Sequence, residues 1–211
     1  TVSEMSRLGK EKTIPVLETP KFTRGKSRFT GAERGTILHK VMEQLDFHKM
    51  AEIWNRCGEE KQKIEAVKGF VAELVNREIL TEEEAGAVQF EKITRFFDSD
   101  IGRRACRSDR LYKEVSFNIM KELSGENIII QGTIDCYFEE EGRYVLLDYK
   151  SNYIGNPDDK EAVERVLESY RVQLALYREA LERIRGIQVE EAYLYLFSID
   201  REIQIVLEEG D

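Results

Sequence analysis

Residues 127–150, NIIIQGTIDCYFEEEGRYVLLDYK, constrain this chain more than any other stretch, because two apolar runs flank a Glu141-Gly142 pair suited to a tight hairpin turn. Once that turn closes, residues stepping away from it in opposite directions face one another, and Asp135 stands opposite Asp148. Facing residues in an antiparallel pair have Cβ atoms about 4.5–5.5 Å apart, so two carboxylates meet on the sheet. The two-residue period of a strand puts Lys150 on the face of Asp148. Like charges so placed destabilise a sheet, the more so when desolvated, unless a cation stands between them. A divalent ion is the economical answer, and oxygen ligands at this spacing suit Mg²⁺ or Mn²⁺. The alternative leaves Asp135 and Asp148 as solvated strand ends with Lys150 as a salt-bridge partner.

The rest of the chain supplies layers for such a hairpin. Residues 1–32 have turn residues and no sustained period, and predict an irregular arm with one short helix near 2–8. Its RGKS at 24–27 is no phosphate loop, since Pro20 stands where the first glycine of that motif belongs. Ile37, Leu38, Val41, Met42 and Leu45 recur at helical spacing and predict a core helix over 33–47. A helical insertion is expected over 48–112, with one stripe at Ile64, Val67, Phe70, Val71, Leu74 and Val75 and a capping box at Thr81 and Glu84. Strands are expected at 114–120, 127–138 and 143–150, then a helix over about 159–184, then two terminal strands within a sheet core spanning 113–211. Helices followed by three strands, a helix and two strands belong to the layered α/β or α+β classes. The chain reads as one domain of 211 residues.

Composition narrows the function classes. No run approaches the roughly 18 apolar residues of a membrane span, and the N-terminus has no apolar signal core, so a cytoplasmic, membrane-free protein is expected. Cys57, Cys106 and Cys136 are far apart and show no C-x-x-C spacing, against a disulfide framework, a zinc site or an iron–sulfur cluster. The net charge of −9 opposes a free-standing nucleic-acid binder, which usually carries a basic face. Two basic clusters soften that objection: residues 1–34, and Arg103, Arg104, Arg107, Arg110 and Lys113. Each reads equally well as a DNA path or as a solvated face.

Residues outside the hairpin extend the candidate site. Gly35 precedes His39 by one helical turn, so the side of the helix lacking a Cβ can approach the sheet and bring the imidazole to it. Gln173 and Tyr177 share a face of the long helix. Glu114, at the start of the first strand, is a possible third acid. Taken singly, each also fits a structural role: a core histidine, a glutamine satisfying a backbone group, a solvated strand end.

In order, Gly35-Thr-Ile-Leu-His39, Glu114, Gly132-Thr-Ile-Asp135, Asp148-Tyr-Lys150 and Gln173-Leu-Ala-Leu-Tyr177 closely resemble the motifs of the RecB-type nuclease family of the PD-(D/E)xK superfamily. The arm and the long helical insertion look most like the AddA type, the nuclease module at the C-terminus of ATP-dependent helicase–nucleases. The resemblance implies an α/β restriction-endonuclease-like core, a central mixed sheet flanked by helices, carrying a helical insertion. It implies a deoxyribonuclease that hydrolyses single-stranded DNA with Mg²⁺, Mn²⁺ being able to substitute, during double-strand-break processing for recombinational repair. His39, Asp135, Asp148 and the backbone carbonyl of Tyr149 would hold the metal. Lys150 would position the attacking water and help deprotonate it, Gln173 and Tyr177 would steady the site, and Glu114 would assist the acidic cluster. Helicase motifs are missing, so ATP would act only in a helicase portion of the same polypeptide, and an AddB-type second subunit would be its partner. The four cysteines of the cluster-bearing relatives are missing too, so no iron–sulfur cluster is expected.

A nuclease-fold module without catalysis, serving DNA-end or subunit contacts, is the competing class. A metal-dependent phosphohydrolase of small substrates is a third, disfavoured by the lack of a glycine-rich phosphate loop.

Overall fold

The computed structural model describes residues 29–123, 125–151, 154 and 158–207; the arm expected over 1–32, including its short helix, lies almost wholly outside them. Helix α1 (Gly31–Gln44) starts at Thr30, whose hydroxyl accepts from the Glu33 N–H while the Glu33 carboxylate accepts from the Thr30 N–H. This capping box satisfies two donors that a helix start leaves orphaned. Helices α2 (Phe47–Arg56), α3 (Glu60–Asn76), α4 (Glu82–Ala85), α5 (Phe90–Asp98) and α6 (Asp100–Arg107) follow. The expected box at Thr81 and Glu84 caps α4.

Three strands then form a meander: β1 (Leu111–Leu123), β2 (Glu126–Glu140) and β3 (Arg143–Lys150). Helix α7 (Lys160–Arg185) ends at Gly186, whose φ of 64° is the left-handed cap that glycine tolerates best. It crosses over to β4 (Val189–Leu196), which pairs parallel with β3, as parallel neighbours require a long connection. Strand β5 (Arg201–Gln204) closes the mixed sheet in the order β1-β2-β3-β4-β5. The chain therefore has the α/β layering expected of it.

Two apolar layers sandwich the sheet. Helices α1 to α6 bury Ile37, Val41, Leu74, Phe96 and Phe97 against Cys136, Phe138, Leu147, Tyr149 and Tyr195. On the other side α7 lays Leu167, Leu174, Tyr177 and Leu181 over Tyr137, Leu146, Leu194 and Leu196. Among the described residues no helix is long and apolar enough to cross a membrane.

The hairpin register is the one the Glu141-Gly142 turn dictates. Glu140 pairs with Arg143 and Cys136 with Leu147, and both turn residues have positive φ, 53° and 83°. Strand β1 starts three residues earlier than expected, which puts Glu114 inside it rather than at its start.

At that point the strands reverse their facing. Leu111 packs with the helical layer and Lys113 reaches the end of α1, whereas Val115, Phe117 and Ile119 pack toward α7. Strand β2 does the same, with Cys136 and Phe138 on the helical side but Ile134 and Ile130 toward α7. Alternation alone would keep all odd positions of β1 on one face. The reversal is made at Glu114, whose φ of 50° is left-handed. Such a conformation costs a non-glycine residue on the order of 1–3 kcal/mol, and it persists only where the surrounding structure enforces it.

Candidate metal centre

The flanking pairs Lys113 with Cys136 and Val115 with Ile134 place Glu114 opposite Asp135 on the neighbouring strand. The register of β2 on β3, continued past Cys136 and Leu147, places Asp135 opposite Asp148. Three acids thus occupy one row across three adjacent strands. The row coincides with the place where the β2–β3 ladder stops, because a carboxylate takes over a backbone partner: Asp135 Oδ2 accepts from the Tyr149 N–H at 2.8 Å. A buried amide that leaves a ladder must find another acceptor, and Asp135 supplies it.

Helix α1 brings the imidazole. A Cβ at Gly35 would stand 2.5 Å from Ser151 Oγ, just past the end of β3, so glycine allows the close approach expected of it. One turn later His39 Nδ1 lies 3.4 Å from Asp135 Oδ1. The ring stands edge-on to Tyr149, whose side chain is buried in the helical layer. Atoms of His39, Glu114 and Asp135 lie within 4.8 Å of one another.

Asp148 stands outside that trio. It is 1 % exposed, and Lys150 Nζ lies 2.6 Å from its Oδ2. The approach is a close charge contact but is poorly directed, so neither carboxylate oxygen receives a well-formed hydrogen bond from the described residues. Lys150 also lies over the Tyr170 ring, 4.7 Å from its centre. One turn along α7, Gln173 donates to the Tyr177 hydroxyl at 2.5 Å, and Tyr177 packs edge-on against Phe117.

The charges explain how the acids coexist. Burial pushes the Asp148 carboxyl up to about 7 despite Lys150 beside it. Burial acts in the same sense on Asp135, but His39, the Lys150 charge and the Tyr149 N–H together outweigh it and hold that carboxyl below its ordinary value. Glu114 is raised by burial and by the negative charge of Asp135. Burial alone would depress Lys150, yet Asp148 and Asp135 hold its ammonium above the usual range. The Asp148 carboxylate is the more deeply buried of the two and lacks directed donors, so at Asp148 desolvation outweighs the attraction of the lysine.

A hard divalent cation fits this donor set. Ligands around Mg²⁺ at about 2.1 Å stand no more than about 4.2 Å apart, so the trio needs only small side-chain adjustments. Asp148, whose two buried oxygens receive no well-directed hydrogen bond, offers ligand capacity for which only the Lys150 ammonium competes.

Of the residues singled out from the sequence, His39, Glu114 and Asp135 come together, Asp148 and Lys150 form a pair beside them, and Gln173 with Tyr177 backs that pair from α7. Tyr149 contributes through its backbone, its side chain being turned away. Tyr170 and Ser151 escape a reading of the sequence, since an aromatic ring on an apolar stripe and a serine after a strand carry no chemical signature. The basic cluster at 103–113 is largely engaged internally. Arg103 pairs with Asp100, Arg104 with Glu140 and Glu191, and Arg110 with Glu139, while Lys113 binds backbone carbonyls. Arg103, Arg107 and Arg110 nevertheless remain exposed, so only Arg104 and Lys113 are withdrawn from a surface path.

Residues 16–208 match the sequence profile of the PD-(D/E)XK nuclease superfamily. The chain is 40% identical over 204 residues to the A subunit of the ATP-dependent helicase/nuclease of Alkaliphilus oremlandii, covering 91% of this chain and 16% of that protein. Its counterpart in Alkaliphilus metalliredigens is 41% identical over 202 residues, covering 90% of this chain and 16% of that protein. The one from Anoxybacillus flavithermus is 40% identical over 182 residues, covering 86% and 14%. The chain therefore spans less than a fifth of the curated relatives it matches.

Proposed function

Because the chain belongs to the PD-(D/E)XK nuclease superfamily, we propose that it is a Mg²⁺-dependent exonuclease module hydrolysing single-stranded DNA delivered by a helicase portion of a longer polypeptide. The observation that carries this reading is the row Glu114, Asp135, Asp148 with His39 at one side and Lys150 at the other. His39, Glu114, Asp135 and Asp148 would hold the metal, with the Tyr149 backbone carbonyl completing the set. When bound, the metal neutralises the phosphodiester and lowers the pKa of a coordinated water.

The protein groups divide the remaining work. Asp135 keeps the end of β3 in place through the Tyr149 N–H, so that Asp148 and Lys150 present fixed positions. Lys150 is held protonated, and it contributes positive charge and a donated hydrogen bond where the pentacovalent phosphorus gains negative charge. It would favour transfer of the water proton to bulk solvent by stabilising the hydroxide left behind, rather than by accepting the proton itself. Gln173 and Tyr177, hydrogen-bonded to each other on α7 and near the Asp148–Lys150 pair, would steady that side of the site. The acidic row repels phosphate on its own, and the overall charge of −9 adds to that. A motor that threads DNA into the centre, in a complex with an AddB-type partner, would supply the missing affinity. Action in double-strand-break processing, in the cytoplasm, is part of the same proposal.

Incubating the chain with end-labelled DNA, with Mg²⁺ or with EDTA, tests the reading. Cleavage confined to the Mg²⁺ arm, faster on single-stranded than on blunt duplex DNA, is the expected result. Equal or faster cutting of blunt duplex would remove the single-strand preference, and equal cutting in EDTA would remove the metal.

The α7 face yields a second expected result. Gln173→Ala and Tyr177→Phe remove one hydrogen bond at a half-buried and a buried position, which costs about 0.5–1.5 kcal/mol of stability. Each should reduce turnover at least tenfold while melting stays cooperative. A Gln173→Ala protein several kcal/mol less stable but with normal specific activity would assign Gln173 to the core.

A further inference from the structure

A metal-binding role for His39 requires something to hold its helix at the right distance. Helix α1 carries no basic residue in its last turn, so its C-terminal carbonyls lack a cation of their own. Strand β1 supplies one. Lys113 Nζ donates to the carbonyl of Glu43 at 2.6 Å, to that of Met42 at 3.3 Å and to that of Leu45. Its ammonium also lies 5.1 Å from the centre of the Phe47 ring. An ammonium has three donors, and here each meets a carbonyl.

At the opposite end α1 is pinned by the Gly35 approach to Ser151. His39 lies between the two fixed points, one turn from each. The next residue after Lys113 is Glu114, with its left-handed backbone. Neighbouring residues on a strand ordinarily point to opposite faces, and the reversal at Glu114 is what lets Lys113 grip α1 while Glu114 meets His39 and Asp135. One dipeptide thus ties the helix bearing the imidazole to the strand bearing the third acid.

We infer that Lys113 is a positioning residue for the metal centre, holding the end of α1 on β1 so that His39 and Glu114 stay within ligand distance of one cation. This rests on the metal-binding reading above. Ligand distances at a metal tolerate only about 0.2 Å, so a loosened helix end is felt at the imidazole. Groups that orient ligands without touching the metal typically change its affinity 10–100-fold.

The test compares Lys113→Met with Lys121→Met by Mn²⁺ titration calorimetry on the metal-free chain, with melting curves in EDTA alongside. Lys121 ties β1 to α7 through Glu179 at 2.8 Å and so controls for the loss of a lysine contact from the same strand. Lys113→Met should weaken Mn²⁺ binding tenfold or more and regain near wild-type turnover at saturating Mn²⁺, while Lys121→Met binds within twofold of wild type. Mn²⁺ affinity within twofold of wild type in Lys113→Met, or the same loss in both variants, overturns the inference. If Lys113→Met does not fold, Lys113→Gln, which keeps a donor, is held to the same comparison. A wild type that binds no Mn²⁺ overturns the metal centre itself, and is read before any variant.

Discussion

Lys150→Ala should lose DNA cleavage by a factor of at least about 10²–10³, the size seen when a preorganised transition-state donor is removed. The same variant should bind Mn²⁺ as tightly as wild type or more tightly. The second half follows from the structure: Lys150 lies 2.6 Å from Asp148, so its ammonium competes with any cation for that carboxylate. Removing it takes positive charge away from Asp148 and Asp135 alike, which favours a divalent ion. Unfolding in EDTA must be measured beside activity, because a buried charge stripped of its partner destabilises a fold. A cooperative melt with lost cleavage and intact Mn²⁺ binding would place Lys150 in the chemistry. A tenfold or greater loss of Mn²⁺ affinity would place it among the groups that hold the metal.

How much of this centre is legible in the sequence depends on whether a local rule controls the feature. The β2–β3 register is legible, because a two-residue turn with positive φ at Glu141 and Gly142 leaves a single pairing, and the row containing Asp135 and Asp148 follows from it. Helix α7 and the closeness of α1 to β3 are legible for similar reasons, an apolar stripe in one case and a missing Cβ in the other. The compensation of the acids is not. The facing carboxylates call for a compensating partner, and the structure answers first with the protein's own side chains, the Lys150 ammonium against Asp148 and the His39 imidazole against Asp135. Nor is the reversal of facing at Glu114 legible, since nothing in LYKEVSF marks a left-handed residue and tertiary contacts impose it. Lys113 is misleading for the same reason. Counted among basic residues it suggests a surface path, yet its partners are backbone carbonyls about 70 residues earlier, which no local pattern reveals.

Asp148→Asn should separate the metal-free from the metal-bound energetics of the site. Without metal, burial and the negative charge of Asp135 raise the Asp148 carboxyl, and together they outweigh Lys150 at 2.6 Å and His39. Its folded pKa of about 7 lies above the roughly 3.9 of an unfolded aspartate, so the folded state holds an extra proton between those values. The stability that protonated Asp148 contributes is therefore fully present below about pH 4 and is lost as pH rises through about 7. Asparagine has no such ionisation, and its carbonyl can still accept from Lys150. In EDTA the variant should thus gain on wild type as pH goes from 5 to 8, whichever protein is the more stable at pH 5. With metal the order changes. A ligand that binds only the native state stabilises it by RT ln(1 + [L]/Kd), so Mg²⁺ at ten times its Kd adds about 1.4 kcal/mol to wild type. For a chain of this length that is a rise of roughly 3–6 °C in melting temperature, and Asp148→Asn should lose most of it together with cleavage. Melting curves of both proteins in EDTA at pH 5 and 8, and across a Mg²⁺ series, decide between the alternatives. A variant that falls further behind wild type as pH rises would show that Lys150 makes the buried carboxylate a net stabiliser, and one that keeps the full Mg²⁺ response would take Asp148 out of the metal centre.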